Sequence, residues 1–230
     1  MLVRVVSYNV RSFRAGVPLA VEAIAADGER ADVVALQEYG PPHRLRAFAR
    51  ALGMDWASSY APFNRLRNAL LFRSPWRLVR ADPHQLTKTP GQHRRGFVAA
   101  RLEAQGADLT AVSVHLGLSA RERPRHAGEL LALLGGGRGP LVLAGDFNEE
   151  SDGPAMRSLS YAFTSCGESG AAGDGTFPAA DPAHRIDDVL VQSAPILSCR
   201  VADSDAARRA SDHRPVIADL ELLPPPGAVG

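Results

Sequence analysis

Short apolar runs separated by polar turns recur along the chain, and most have the length and β-branched character of strands. A hairpin is expected across Gln105-Gly106, and longer segments with helical spacing lie between some of the strands. The pattern predicts strands at 2–8, 32–37, 68–72, 96–103, 109–116, 141–144, 186–191, 197–201 and 216–222, and helices at 17–26, 43–52 and 124–134.

Most consecutive strands in this pattern follow one another without a helix between them, as in hairpins. Such connections favour mixed or antiparallel sheets over a doubly wound parallel sheet. No linker divides the chain, which predicts one domain over 1–223 and a flexible tail over 224–230. A flexible stretch is also expected around 167–175. The strand ends Tyr8-Asn9 and Phe147-Asn148 echo each other weakly, as if they marked the same place in two similar halves.

Composition narrows the class of protein. The 230 residues are 45% apolar and 22% charged, as in an ordinary globular protein with a full core. A net charge of +1 excludes a polybasic nucleic-acid tail and an acidic disordered chain. Cys166 and Cys199 have no CxxC spacing, so neither a disulfide framework nor a thiolate zinc site is expected. With no secretory pattern and no apolar run near the roughly 18 residues of a membrane span, we expect a cytoplasmic protein. We also expect it to be a monomer.

Polar side chains cluster where the apolar strands begin or end, which is where a sheet can present them to one cleft. Among them are four carboxylates, and like charges brought so close together need a cation to offset their repulsion. Oxygen donors without a thiolate favour Mg²⁺ or Mn²⁺. The four carboxylates are Glu38, Asp146, Asp187 and Asp212.

The motifs that carry these side chains occur in the order SYNVR, LQE, SVHL, GDFN, RIDDVLV and SDHRPV. In this order they resemble the endonuclease/exonuclease/phosphatase superfamily, and the resemblance spans residues 3 to 220. It implies an α/β fold, a four-layer α/β/β/α sandwich with two mixed, mainly antiparallel sheets. It also implies metal-dependent hydrolysis of phosphate esters.

The resemblance also implies roles for individual residues. Metal ligands would be Glu38, Asp212, Asn9 and Asp146. Asp146 and Asn148 would bind the attacking water and the phosphate, while Asp187 would orient His213. His115 would contact the phosphate or the leaving group. Whether Asp146 or His213 activates the water stays open.

The expected substrate is a phosphodiester, in nucleic acid or a related molecule, because the arginines are spread along the chain as successive phosphates require. The alternatives are a phosphomonoesterase or a lipid-headgroup phosphodiesterase. A non-catalytic binding module is disfavoured because Glu38, Asp146 and His213 are all retained. Some nucleases have an acid where this chain has Arg11, so that metal contact is not expected here. Candidate substrate contacts are Asn9, Arg65, Asn68, Arg94 and Arg95.

Overall fold

The computed structural model describes residues 1–25, 30–59, 66–137, 139–169 and 175–223. Within these ranges the chain forms strands and helices that alternate along most of its length. The strands are β1 (Leu2–Asn9), β2 (Val33–Gln37), β3 (Asp55–Ser58), β4 (Ala69–Phe72), β5 (Arg77–Gln85), β6 (Gly96–Ala104), β7 (Ala107–His115), β8 (Leu141–Asp146), β9 (Thr164–Ser165), β10 (Asp187–Gln192), β11 (Ile196–Val201) and β12 (Val216–Glu221). The helices are α1 (Val17–Ala25), α2 (Pro42–Leu52), α3 (Arg123–Leu134), α4 (Pro154–Leu159), α5 (Cys166–Ser169) and α6 (Asp205–Ala210), with a 3₁₀ turn at Arg11–Phe13.

The described strands form two six-stranded sheets. The first has the order β11-β12-β1-β2-β4-β3, and the second has the order β5-β6-β7-β8-β10-β9. Each sheet contains one parallel pair, β1–β2 in the first and β7–β8 in the second, and every other pair is antiparallel. The prediction of mixed, mainly antiparallel sheets is therefore confirmed.

The core has three apolar layers. Successive side chains of a strand point to opposite faces of its sheet, so one strand contributes to two layers. In β1, Val3 and Val5 join the layer between the two sheets, whereas Val6 and Tyr8 face outward. On that outer side α1, α2 and α6 cover the first sheet. The helices α3 and α4 cover the second sheet through a third layer that includes Leu130. The helix–sheet–sheet–helix sandwich expected from the resemblance is confirmed.

The two sheets repeat one topology, because the two strand orders match position by position. In each, a parallel pair is linked through a helix, by α1 between β1 and β2 and by α3 between β7 and β8. This relation pairs the end of β1 with the end of β7, so Asn9 corresponds to His115. The prediction that Asn9 and Asn148 mark equivalent positions was wrong. Asn148 follows β8, the second strand of its parallel pair, whereas Asn9 ends β1, the first strand of its pair.

Cys166 and Cys199 form a disulfide, which corrects the expectation drawn from their spacing. They are 33 residues apart in the chain, but the fold brings their Cα atoms to 5.4 Å, within the range that a disulfide spans. The bond joins α5, which directly follows β9 of the second sheet, to β11, an edge strand of the first sheet.

Some predictions concern residues outside the described ranges. The tail at 224–230, residue Ala26 of the first predicted helix and residues 170–174 of the predicted flexible stretch are among them. None of the described helices is both long enough and apolar enough to cross a membrane.

Candidate active site

An open cleft of about 590 Å³ lies where the parallel pairs of the two sheets end. In a parallel pair both strands finish at the same edge, so Asn9 comes beside Gln37 and His115 beside Asp146. Because the sheets face each other, the two edges supply opposite walls of one site. Residues lining the cleft include Asn9, Glu38, Arg67, Asn68, Arg94, Arg95, His115, Asp146, Asn148, Asp212 and His213.

Asp146 is the buried centre of this cleft and is bonded from both sheets. Its Oδ2 accepts a hydrogen bond from Nδ2 of Asn9 at 2.9 Å, and its Oδ1 accepts one from the backbone N–H of Asn148 at 3.0 Å. The side-chain Nδ2 of Asn148 in turn donates to the backbone carbonyl of Leu116 at 3.1 Å. These bonds give the carboxylate one orientation.

The electrostatic environment of Asp146 disfavours its charge. Burial, and after it the negative charge of Asp187, raises the pKa of the Asp146 carboxyl group. The positive charge of His213 and the hydrogen bonds from Asn9 and Asn148 act in the opposite direction but do not cancel the increase. A carboxylate whose pKa is raised in this way can act as a proton acceptor or as a ligand of a cation.

His213 and Asp187 form a buried pair beside Asp146. Nδ1 of His213 lies 2.8 Å from Oδ2 of Asp187, and the same oxygen accepts the hydroxyl hydrogen of Thr176 at 2.6 Å. The ring also packs against Phe177, with 5.0 Å between the ring centroids. This arrangement leaves Nε2 of His213 3.8 Å from Oδ2 of Asp146.

His213 is a cation at neutral pH in this environment. Burial alone lowers its pKa, but the charge and hydrogen bond of Asp187, with the charges of Asp146 and Asp212, raise the pKa to about 9. The site therefore holds a charged imidazolium next to a carboxylate, a combination that can bind and protonate phosphate oxygens.

The second histidine, His115, has a different environment. Its Nε2 lies 3.2 Å from Oδ2 of Asp146, and its Nδ1 lies 3.0 Å from Nη1 of Arg95. Burial, then the positive charges of Arg95 and His213, lowers the pKa of His115 well below its ordinary value. His115 is consequently a neutral ring at neutral pH.

Among the candidate metal ligands, Glu38 and Asp212 occupy the more open part of the cleft. Glu38 follows β2 with φ +52°, which is uncommon for a glutamate, and its side chain is 41% exposed. Asp212 is paired with Arg11, whose Nε lies 3.1 Å from Oδ2. Arg11 thus stands in direct contact with one of the expected ligands.

The donor atoms fit a hard divalent cation. Among the described residues, a cluster of possible ligand atoms within 4.8 Å of one another comprises Asp146, Asp187 and His213, of which the last two already bond each other. Carboxylate and amide oxygens of Glu38, Asn9 and Asp146 line the same cleft, which contains no thiolate. The unfavourable negative charge at Asp146 is what a bound cation would offset.

The candidate substrate contacts differ in their surroundings. The Asn68 side chain is buried at the cleft, and its Nδ2 has no hydrogen-bond partner among the described residues. Arg94 is exposed and donates to Gln85 at 3.1 Å. Arg95 reaches into the cleft, as the contact with His115 shows. Arg65 lies outside the described residues.

Several residues at the site were not predicted as participants. Arg67 and His93 line the cleft, and Thr176 and Phe177 support the Asp187–His213 pair. Thr176 and Phe177 lie in a segment without strand or helix periodicity. The only sequence signal there was its position shortly before RIDDVLV.

This fold and this group of carboxylates, asparagines and histidines are those of a phosphoester hydrolase. The sequence model of the Endonuclease/Exonuclease/phosphatase family matches residues 6–213 of the chain. The chain therefore belongs to this family, whose members hydrolyse phosphoesters and generally depend on divalent metals. No curated protein matches the chain in a sequence search.

Solved structures share the fold over almost the whole chain. A family member from Bacteroides vulgatus is 19% identical, with a TM-score of 0.81 and coverage of 97% of this chain and 100% of that one. A mannosyl-6-phosphatase from Bacteroides thetaiotaomicron is 22% identical, with a TM-score of 0.81 and coverage of 96% and 100%. TDP2 from D. rerio, in complex with a single-strand DNA product, is 17% identical, with a TM-score of 0.77 and coverage of 96% and 99%.

Proposed function

We propose that the protein is a Mg²⁺- or Mn²⁺-dependent phosphodiesterase that acts on nucleic acid or a related diester. The observation that carries this proposal is the convergence of Asn9, Asp146 and His213 at the floor of an open cleft with arginines on its wall. An open cleft accommodates a chain that continues on both sides of the scissile phosphate. The likeness to TDP2 bound to single-strand DNA is consistent with such a substrate.

In this proposal Asp146 accepts the proton of the attacking water. Asn9 and Asn148 hold the carboxylate in one orientation, and burial favours its uptake of a proton. His213, kept cationic by Asp187, binds or protonates a phosphate oxygen through Nε2. The reverse assignment, in which His213 is the base, has less support because a cationic ring has no free lone pair at Nε2.

Glu38, Asn9, Asp146 and Asp212 are the residues proposed to hold the cation. A divalent cation held by these residues would supply Lewis-acid chemistry, which would polarise a phosphoryl oxygen and offset charge on the departing oxygen. The proposed contacts to other phosphate oxygens are Arg94 and Asn68, whose Nδ2 has no hydrogen-bond partner among the described residues.

A phosphomonoesterase is the second candidate. The likeness to a mannosyl-6-phosphatase favours it, as do the cationic side chains Arg67, Arg94 and Arg95 around one cleft, since a monoester carries more negative charge than a diester. Of these, Arg95 already contacts His115, and Arg67 lies over the ring of Tyr39 with 5.9 Å to its centroid. The diester remains the first choice because these charges are partly engaged.

The deciding experiment compares bis-p-nitrophenyl phosphate, p-nitrophenyl phosphate, plasmid DNA, single-stranded DNA and RNA, with Mg²⁺ and with Mn²⁺. We expect a higher kcat/KM for the diester than for the monoester, and nucleic-acid cleavage that weakens steeply with salt. His213→Ala, purified in parallel, is the control for a contaminating nuclease. A clear preference for the monoester with intact nucleic acids would favour the phosphatase instead.

A further inference from the structure

Arg95 is placed against His115 by the pairing of two strands. It immediately precedes Gly96, the first residue of β6, and Gly96 lies opposite His115 in the antiparallel register with β7. The backbone there is tightly packed, because a Cβ at Gly96 would lie 2.2 Å from the carbonyl oxygen of His84 and 2.7 Å from Leu66. The position of Arg95 is thus set by the sheet.

The contact between Arg95 and His115 determines where the imidazole carries its hydrogen. A guanidinium has only hydrogen-bond donors, so Nδ1 of His115, 3.0 Å from Nη1 of Arg95, must be the acceptor. A neutral ring with a bare Nδ1 carries its hydrogen on Nε2. Nε2 lies on the side of the ring toward Asp146, with 3.2 Å between Nε2 and Oδ2 of Asp146.

Charged groups around Arg95 hold its guanidinium in this place. Burial lowers the pKa of Arg95, and the negative charges of Asp146, Glu38 and Glu122 offset this decrease only in part. Glu122 is buried, and its Oε2 has no hydrogen-bond partner among the described residues. Three carboxylates therefore attract this guanidinium without a bound phosphate.

We propose that Arg95 is a positioning residue, which fixes His115 as the tautomer with hydrogen on Nε2 and so presents to Asp146 a ring nitrogen that can only donate. The inference rests on the proposed function for its catalytic consequence. The two histidines then differ in role, because Nε2 of His115 keeps its hydrogen beside the carboxylate and only His213 handles a proton at the phosphate. The expected role of Arg95 also changes, from a phosphate contact to a residue that acts through His115.

The tautomer can be observed directly, without substrate or metal. We would record two-bond ¹H–¹⁵N spectra of the protein labelled with ¹⁵N-histidine, using His115→Asn to assign the ring. We expect the wild type to show the Nε2–H form of His115, and Arg95→Gln to show a mixture of the two neutral forms. Arg94→Gln, which changes the neighbouring arginine that binds Gln85, should leave the tautomer of His115 as in the wild type.

The kinetic test is a double-mutant cycle of Arg95→Gln and His115→Asn on the best diester substrate. We expect each single variant to lower kcat by about 10- to 100-fold with little change in KM, as is usual for residues that orient a ligand or base. The double variant should be hardly slower than either single variant. Arg101→Gln, on the exposed far end of β6, is the control for a change of charge on this strand.

Either arm can overturn the proposal. A wild-type ring with its hydrogen on Nδ1 would refute it, and so would multiplying losses accompanied by a raised KM, which would identify Arg95 as a direct phosphate contact. Should Arg95→Gln fail to fold, Arg95→Lys retains a charged donor and should restore the Nε2–H form. If no phosphoester is hydrolysed, the proposed function fails while the spectra still decide the tautomer.

Discussion

Nδ1 of His213 lies 2.8 Å from Oδ2 of Asp187, and this contact orients the ring toward the floor of the cleft. Asp187 opens β10 opposite Asp146 on β8, whereas His213 precedes β12 in the other sheet. The pair therefore links the two sheets at the site. Because Thr176 bonds the same oxygen, Asp187 cannot turn away without breaking two contacts.

If Asp187 acts by orienting and charging His213, the effects of changing the two residues will not add. We expect His213→Ala to lower kcat/KM for a diester by on the order of 10²- to 10⁴-fold, the usual range for an acid–base group. When Asp187→Asn is added to His213→Ala, kcat/KM of the double variant should be hardly lower than that of His213→Ala alone. Losses that multiply would show that the two residues act independently. Thermal unfolding of each variant controls for structural damage around Thr176.

Removal of divalent ions with EDTA should abolish turnover, and Mg²⁺ or Mn²⁺ should restore it. Glu38→Gln keeps the shape of a side chain that is already partly exposed but removes its charge, so we expect weaker metal binding and partial rescue at high metal. Metal titrations of activity measure this shift. Glu103→Gln, which changes a half-exposed glutamate on β6 that pairs with arginines, is the matched control. Full turnover after exhaustive EDTA dialysis would contradict the prediction.

The sequence predicted the central strands well because they consist mainly of apolar residues, whose burial can be expected without knowing the fold. All residues of β2, β4 and β8 are buried, and apolar runs of that kind are recognisable without knowing their partners. β5 was missed because it is an edge strand with mostly exposed residues and a proline at position 83. Short elements such as β3 and α6 likewise contain too few residues to show a period.

The site was predicted as a set of residues but not as a set of contacts. Motifs indicated Asp146, His115 and His213, and all three lie in one cleft. They did not indicate that Arg95 bonds His115, because that contact depends on the register of β6 against β7. The disulfide escaped notice for the same reason, since only the folded chain brings residues 33 positions apart together.

Gly145 is expected to be essential for the position of Asp146. A Cβ at Gly145 would lie 2.2 Å from the carbonyl oxygen of Val114 on the paired strand β7, and backbone cannot yield as a flexible side chain can. Gly145→Ala should therefore lower the free energy of unfolding by about 1 to 3 kcal/mol, the usual cost of overpacking, and displace Asp146.

Gly128→Ala is the matched control for this substitution. Gly128 lies inside α3, and an added Cβ meets nothing within 4 Å. Because alanine restricts the unfolded chain and favours helix, this variant should be more stable by about 0.5 to 1 kcal/mol. Urea unfolding measures whether the free energy of unfolding falls in Gly145→Ala and rises in Gly128→Ala. Equal stability of Gly145→Ala and the wild type would mean that the two strands can separate at no cost.

The ion pair between Arg4 and Asp219 should make part of the stability depend on pH. Nε and Nη2 of Arg4 donate to the two oxygens of Asp219 at 2.7 and 2.8 Å, and these bonds, helped by one from Ser198, lower the pKa of Asp219. A carboxyl group whose pKa is lower in the folded chain stabilises it above the unfolded pKa of about 3.9. That stabilisation is lost as the pH falls through the folded pKa.

Asp219→Asn should consequently lower the free energy of unfolding at pH 7 by about 1.5 to 3 kcal/mol, the usual range for hydrogen bonds to a charged group. The difference from the wild type should shrink as the pH falls below about 3.9, because the wild-type carboxyl group then loses its charge too. Urea titrations at pH 7, 5 and 3 measure the trend. Asp108→Asn is the control, since its pairing with Arg101 is about half exposed and should contribute less than about 1 kcal/mol at any pH. A deficit for Asp219→Asn that stays constant down to pH 3 would mean that packing, not charge, accounts for the contribution of Asp219.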